Sequence, residues 1–289
     1  MRRAQERPSR RSRRPVRAKG CAEPQRASTH RAAGSPATLL PLEDEKVPHL
    51  PWLVMIPGTL CDRRLFAAQA RALRDRARVW CVDLHGLERD VGAWAEQLLQ
   101  RLPPRFALAG FSLGGLLALE LLRRAPARVE RLALVASNAE PGSRRAQRRS
   151  REQRAAWQHG GAEGVVDRLL PAYLPVPRQR ARHAPLIRRM ARATPGAAAR
   201  AQFDWAALRP SGHAALAAHA APLLVVSGAA DAFCPRAQQQ RLRATRPDAR
   251  WVELRRCGHF IPLERPRPLS RLLTHWLAAP PRGVFGDPA

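Results

Sequence analysis

The chain has 289 residues, 45% of them hydrophobic, with 51 Lys and Arg against 23 Asp and Glu and a formal net charge of +28. That apolar content is enough for one large domain or two smaller ones, and no apolar run is long enough to span a bilayer. Five cysteines with no Cys-x-x-Cys pair speak against a disulfide framework or structural zinc site and suggest a reducing, cytoplasmic setting.

Residues 1–46 hold twelve Lys and Arg and five Asp and Glu, with no hydrophobic period. They read as a disordered, Arg-rich tail outside the fold. A transit peptide or a start site assigned too far upstream are alternative origins for it. The basic excess is not confined there, because residues 138–218 carry fifteen Arg against five acids. A basic scaffold for nucleic acid or anionic surfaces is one reading of that excess. With 5% aromatic residues, however, no stacking set or recognition helix accompanies the arginines, so a specific nucleic-acid partner is not expected.

Trp52-Leu53-Val54-Met55-Ile56 is a continuous apolar run closed by Pro57-Gly58, as a parallel strand buried on both faces requires. A helix over 65–73, a strand over 79–82 and a helix over 91–102 follow. The next strand, 106–110, runs straight into Gly110-Phe111-Ser112-Leu113-Gly114 and a long apolar helix to about residue 124. Residues 131–136 make a further strand. Strands alternating with helices at this spacing form a parallel sheet covered on both faces. Residues 138–218 break the rhythm: they are Arg- and Ala-rich, helical in pattern and without a buried strand, and read as a helical cap inserted over the sheet. The rhythm resumes with a strand at 223–226, a helix at 235–245, a strand at 251–254 and a helix at 266–277. The core is therefore expected over 47–137 and 219–279, with a flexible tail at 280–289.

Gly-x-Ser-x-Gly between a strand and a helix is the context of a nucleophile elbow. A serine on so tight a turn has crowded flanks that exclude a Cβ two residues to either side, and the helix N-terminus behind it favours negative charge. A serine hydroxyl needs a base, and the base needs a carboxylate to hold its tautomer. Asp231 lies on the loop after the strand at 223–226 and His259 on the loop after the strand at 251–254, on the same sheet edge as Ser112. Asp231 is also placed to cap a helix starting near Pro235. The other eight histidines lie in the tail, the cap region, the last helix or after a different strand. Cys61, Cys234 and Cys257 fall on loops of that edge and read as small buried thiols, and no metal is expected.

On Pro57-Gly58-Thr59-Leu60, Gly110-Phe111-Ser112-Leu113-Gly114-Gly115, Asp231 and Gly258-His259-Phe260 with Glu264 and Pro266 behind it, the chain from about 50 to 278 resembles the α/β-hydrolase fold family. Within it the likeness is to small serine esterases of the enol-lactonase and acyl-carrier methyl-ester esterase branches. It departs from the usual His-Gly after the first core strand by having Pro57-Gly58. The resemblance implies cofactor-free hydrolysis of a carboxylic ester, thioester or lactone of a small acyl substrate. It also implies an oxyanion hole from the Leu113 amide and one just past Gly58, with Thr59 the first choice and Leu60 the second. Carbon–carbon bond hydrolysis, a lyase reaction, or a non-catalytic binding role are the alternatives on the same scaffold. Arg209, where the cap returns to the sheet, is a candidate for pairing with a substrate carboxylate.

Overall fold

The computed structural model describes residues 50–87 and 90–279. The tails at 1–46 and 280–289 therefore lie outside the described residues. Six parallel strands, β1 (Trp52–Ile56), β2 (Arg78–Cys81), β3 (Phe106–Phe111), β4 (Val129–Val135), β5 (Leu223–Gly228) and β6 (Arg250–Leu254), form one sheet in the order β2-β1-β3-β4-β5-β6. The chain moves from β1 outward to β2 and then returns to the other side of β1 to lay down β3. Such a reversal leaves a crevice at the carboxyl ends of β1 and β3, where open α/β sheets bind their ligands. The loops after β1 and β3 carry Thr59 and Ser112.

Side-chain alternation explains the continuous apolar runs. Leu53 and Met55 of β1, Ala107 and Ala109 of β3 and Leu224 and Val226 of β5 pack into one apolar cluster. That face is covered by α1 (Ala67–Leu73) and α10 (Pro266–Ala278), which pack on each other. Val54, Ile56, Leu108, Leu132, Leu134 and Val225 point the other way, beneath α2 (Val91–Arg101) and α3 (Leu113–Arg124). A parallel strand with both faces covered must be apolar at every position, and all six residues of β3 are buried. At about 25 cal/mol per Å² of apolar surface removed from water, these strands anchor the fold.

Between β4 and β5 come four helices: α4 (Arg144–Tyr173), α5 (Pro177–Ala193), α6 (Gly196–Leu208) and α7 (His213–Ala218). α4 is broken at Gly161, which takes φ +58°, a conformation that costs glycine nothing. Val165, Val166 and Leu170 of α4, Ile187 and Met190 of α5 and Phe203 of α6 extend the first apolar cluster beyond the sheet. After β5 follow α8 (Arg236–Thr245) and, after β6, the one-turn α9 (Ile261–Glu264). Among the described residues, no helix is long and apolar enough to cross a membrane.

Candidate active site

Ser112 sits at φ 53°, ψ −117°, between the last residue of β3 and the first of α3. For a non-glycine residue this backbone costs on the order of 1–3 kcal/mol, and the surrounding packing sustains it. A Cβ on Gly110 would overlap the Gly114 carbonyl, and one on Gly114 would overlap the Ile56 carbonyl, so strand, turn and helix close only with glycine at both places. The Ser112 amide donates to the Val135 carbonyl at 2.9 Å, and the Ser137 hydroxyl donates to the Ser112 carbonyl at 2.8 Å. The Ser112 side chain caps no helix amide, which leaves its hydroxyl for another partner.

That partner is His259, whose Nε2 lies 2.9 Å from Ser112 Oγ, while its Nδ1 lies 2.8 Å from Asp231 Oδ2. A carboxylate only accepts, so Nδ1–H donates to Asp231 and Nε2 accepts from the serine hydroxyl. Asp231 Oδ1 takes the Phe233 and Cys234 amides at 2.8 and 3.0 Å. Burial acts to raise the Asp231 pKa, but the His259 imidazole and these two amides outweigh it and hold the carboxyl below its ordinary value. The acid therefore shapes its own turn and holds the histidine at once, and α8 begins instead at Pro235 without a side-chain cap. Backbone bonds from Ala229 to Leu254 and from Ala230 to Cys257 tie the two loops together.

One residue that sequence reasoning missed braces the histidine. The Tyr173 carbonyl, at the end of α4, accepts the His259 amide at 2.9 Å. The Tyr173 ring stacks on the imidazole with centroids 5.2 Å apart and 15° between planes, and Phe111 and Phe233 lie 5.3 and 5.1 Å from the same ring. Behind the loop, Glu264 Oε2 accepts the Gly258 amide at 2.9 Å, and its Oε1 is buried without a partner among the described residues. Burial pushes the Glu264 carboxyl up, against the opposing pull of that amide and of His259. Glu264 was legible as part of the histidine motif. Tyr173 was legible only as the end of a helix.

A cavity of about 120 Å³ opens over Ser112 and is lined by Thr59, Leu113, Tyr173, Arg149 and Arg209 among others. Among the described residues, neither the Leu113 nor the Thr59 amide has an acceptor. The Leu60 amide, by contrast, donates to Gln202 Oε1 of α6 at 2.8 Å, and Leu60 is itself buried at φ 56°. Leu60 therefore presents neither a free amide nor a cavity-lining side chain. Gln202, fully buried, also donates to the Leu84 carbonyl at 3.4 Å, so this second missed residue pins the loop after β1 from a helix far along the chain.

Arg209 reaches the cavity wall, but its guanidinium donates to the Glu140 carbonyl at 2.8 Å, to the Ala206 carbonyl and to Asn138 Oδ1 at 3.3 Å. It fastens the return of α6 to the loop after β4 and does not extend a free fork toward a ligand. Cys61, Cys234 and Cys257 are buried, and burial raises each thiol far above its ordinary pKa, so they are poor nucleophiles. Asp231, Cys234 and His259 bring one ligand atom each within 4.8 Å of one another. A metal there would take both atoms of the Asp231–His259 bond and would need the Cys234 thiol ionised, which burial opposes.

A parallel sheet whose central crevice holds a serine on a strand–helix elbow, bonded to a histidine and an aspartate from later loops, defines a hydrolase scaffold. Residues 53–272 match the model of the alpha/beta hydrolase family. The chain belongs to this family and is an enzyme of the hydrolase class. It is similar to a pimeloyl-[acyl-carrier protein] methyl ester esterase of Aromatoleum aromaticum, with 29% identity over 198 residues, 63% of this chain and 77% of that protein. The same-named protein of Nitrosomonas europaea is 38% identical over 94 residues, 30% of this chain and 37% of its own length, so that match spans little more than a third of the relative. The enol-lactonase from Burkholderia xenovorans LB400 superimposes with a TM-score of 0.68 over 80% of this chain and 92% of the other at 22% identity, a likeness of fold.

Proposed function

We propose that the protein hydrolyses a carboxylic ester, with thioesters and lactones as the neighbouring substrate classes, through Ser112 as nucleophile, His259 as general base and acid, and Asp231 as the residue that orients it. The observation that carries this reading is the unbroken relay from Asp231 to His259 to Ser112, 2.8 and 2.9 Å long, opening on a cavity beside two amides that have no acceptor among the described residues. The names of the pimeloyl-[acyl-carrier protein] methyl ester esterases support an ester as the first class to test.

Ser112 Oγ attacks the carbonyl carbon while His259 Nε2 takes its proton. The negative charge that forms on the carbonyl oxygen is held by the Leu113 and Thr59 amides, Thr59 being favoured over Leu60 because Gln202 already occupies the Leu60 amide. Each such donor is worth about 2.7–4 kcal/mol in the transition state. Collapse of the tetrahedral adduct breaks the bond to the leaving oxygen, which departs as an alcohol with the proton from His259. Water then attacks the acyl-serine, His259 takes its proton, and the acid leaves as that proton returns to Ser112. Helices α4–α7 act as the cap that shapes the acyl site. The buried free thiols Cys61, Cys234 and Cys257 suit a reducing compartment, the cytoplasm.

The test is covalent labelling with a fluorophosphonate alongside hydrolysis of p-nitrophenyl butyrate. Wild-type protein is expected to be labelled and active. Ser112→Ala is expected to take no label and to lose kcat by a factor on the order of 10⁴–10⁶. Equal labelling of the two proteins would remove Ser112 as nucleophile.

A further inference from the structure

Several arginines of α4–α6 away from the cavity meet acids: Arg154 with Asp204 at 2.7 Å, Arg188 with Asp167 at 2.7 Å and Arg192 with Glu163 at 2.5 Å. Those at the cavity do not. Arg145, Arg149 and Arg209 all line it, and no Asp or Glu stands among its described lining residues. Glu140, the carboxylate nearest Arg209, is turned to Arg241 at 2.8 Å and His213 at 3.4 Å.

Arg149 differs from its neighbours in what holds it. Its guanidinium lies over the Phe233 ring, 4.5 Å from the centroid, and makes no hydrogen bond or ion pair among the described residues. Stacking on an aromatic face fixes the plane of a guanidinium while leaving its N–H edge directed outward, the geometry that meets a carboxylate with two parallel bonds. The side chain is half-buried, so its charge is only partly hydrated. Arg149 also bears on Arg209: after burial, its like charge helps keep that guanidinium below its ordinary value. Arg149 and Arg209 share one cavity with no carboxylate among its described lining residues, and a ligand's anion would relieve both.

We propose that Arg149, stacked on Phe233 and assisted at the cavity mouth by Arg145, forms a subsite for a carboxylate on the acyl chain, so that the substrates are half-esters of dicarboxylic acids. This rests on the ester-hydrolase reading for the identity of the substrate but not for the existence of the anion site. The ester carbonyl sits at Ser112 and the free carboxylate reaches toward α4. A neutral acyl chain of the same length fills the same cavity and leaves Arg149 without a counter-ion.

The experiment compares kcat/KM for p-nitrophenyl hydrogen glutarate with that for p-nitrophenyl pentanoate, which has the same acyl length without the charge. The wild-type ratio is expected to favour the half-ester by tenfold or more, mainly through KM, and to shrink as salt is added. Arg149→Gln shortens the side chain and removes the charge while leaving a polar amide, and is expected to bring the ratio to about one. Arg149→Lys is expected to keep part of it. A wild-type ratio of one or less, or equal loss on both substrates in Arg149→Gln, would overturn the proposal.

Binding of glutarate itself to Ser112→Ala, measured calorimetrically with and without Arg149→Gln, separates the two readings. Glutarate bound at least tenfold more tightly with Arg149 present, in a protein that cleaves no ester, would keep the anion site and discard the hydrolysis. Ester cleavage without charge preference or glutarate binding would do the reverse.

Discussion

The carboxyl edge of the sheet and the helices α4–α7 supply the site in different ways. The sheet edge contributes Ser112, Asp231 and His259 from short loops after β3, β5 and β6, each anchored by a strand that is buried or paired into the sheet. The helical region contributes Tyr173, which stacks on His259, Gln202, which holds the Leu60 amide, and Arg149 and Arg209, which line the cavity. Strands are tied by regular backbone pairing and apolar burial, so their ends are rigid and suited to fixed geometry. The helices are Arg-rich and joined in part by exposed ion pairs worth little each. On the proposed function, chemistry and selectivity are divided between parts held by different forces.

Substitutions on the two sides should separate accordingly. The largest effect after loss of Ser112 itself is expected at the sheet edge. Asp231→Asn keeps the shape but lets the imidazole take the wrong tautomer, and kcat on p-nitrophenyl butyrate should fall by about 10⁴. A loss below tenfold would mean that the carboxylate matters only as the acceptor of the Phe233 and Cys234 amides.

On the helix side, Gln202→Ala leaves the buried Leu60 amide without its acceptor. Unfolding should become easier by about 1–3 kcal/mol, read from urea denaturation, and kcat should fall while KM changes less, because the loop bearing the Thr59 amide loosens. If activity held while stability fell, the helices would brace the fold without bearing on the oxyanion loop.

The smallest effect is electrostatic and has a definite sign. The Glu264 carboxyl is held above its ordinary value by burial, so the folded protein binds its proton more readily than the unfolded chain. Its contribution is fully present below the ordinary value near 4.5 and is lost as pH rises through the raised one. Asp231 runs the other way: its stabilisation is present above 3.8 and lost as pH falls through the depressed value. Glu264→Gln, whose amide oxygen still accepts the Gly258 amide, should therefore gain thermal stability over wild type as pH rises from about 5 to 8, with the difference vanishing below pH 4. A constant offset across that range would tie Glu264 to packing alone.

Most of the sheet was legible in the chain because its signals are local. An apolar run such as 52–56 closed by Pro57-Gly58, or a serine between two glycines at a strand–helix junction, states its own conformation within a few residues. Strand ends moved by one or two residues: β4 begins at Val129 where the apolar run suggested 131, because Val129 pairs with Phe106 across an irregular register. The candidate substrate residues were less legible. Arg209 was singled out for its place at the return to the sheet, yet its guanidinium meets carbonyls. Arg149, one arginine of a run that looks alike throughout, is the one stacked beside the cavity.

By itself the sequence determined the alternation of strands and helices, the chain order of serine, acid and histidine, and the edge on which all three lie, since periodicity and turn chemistry act over a few residues. Only the tertiary structure decided that Gln202 takes the Leu60 amide across 142 positions, and that Tyr173 stacks on His259. It alone decided which cavity arginine lies over an aromatic ring. Those contacts depend on how α4–α6 lie over the crevice, and many remote apolar contacts set that placement together.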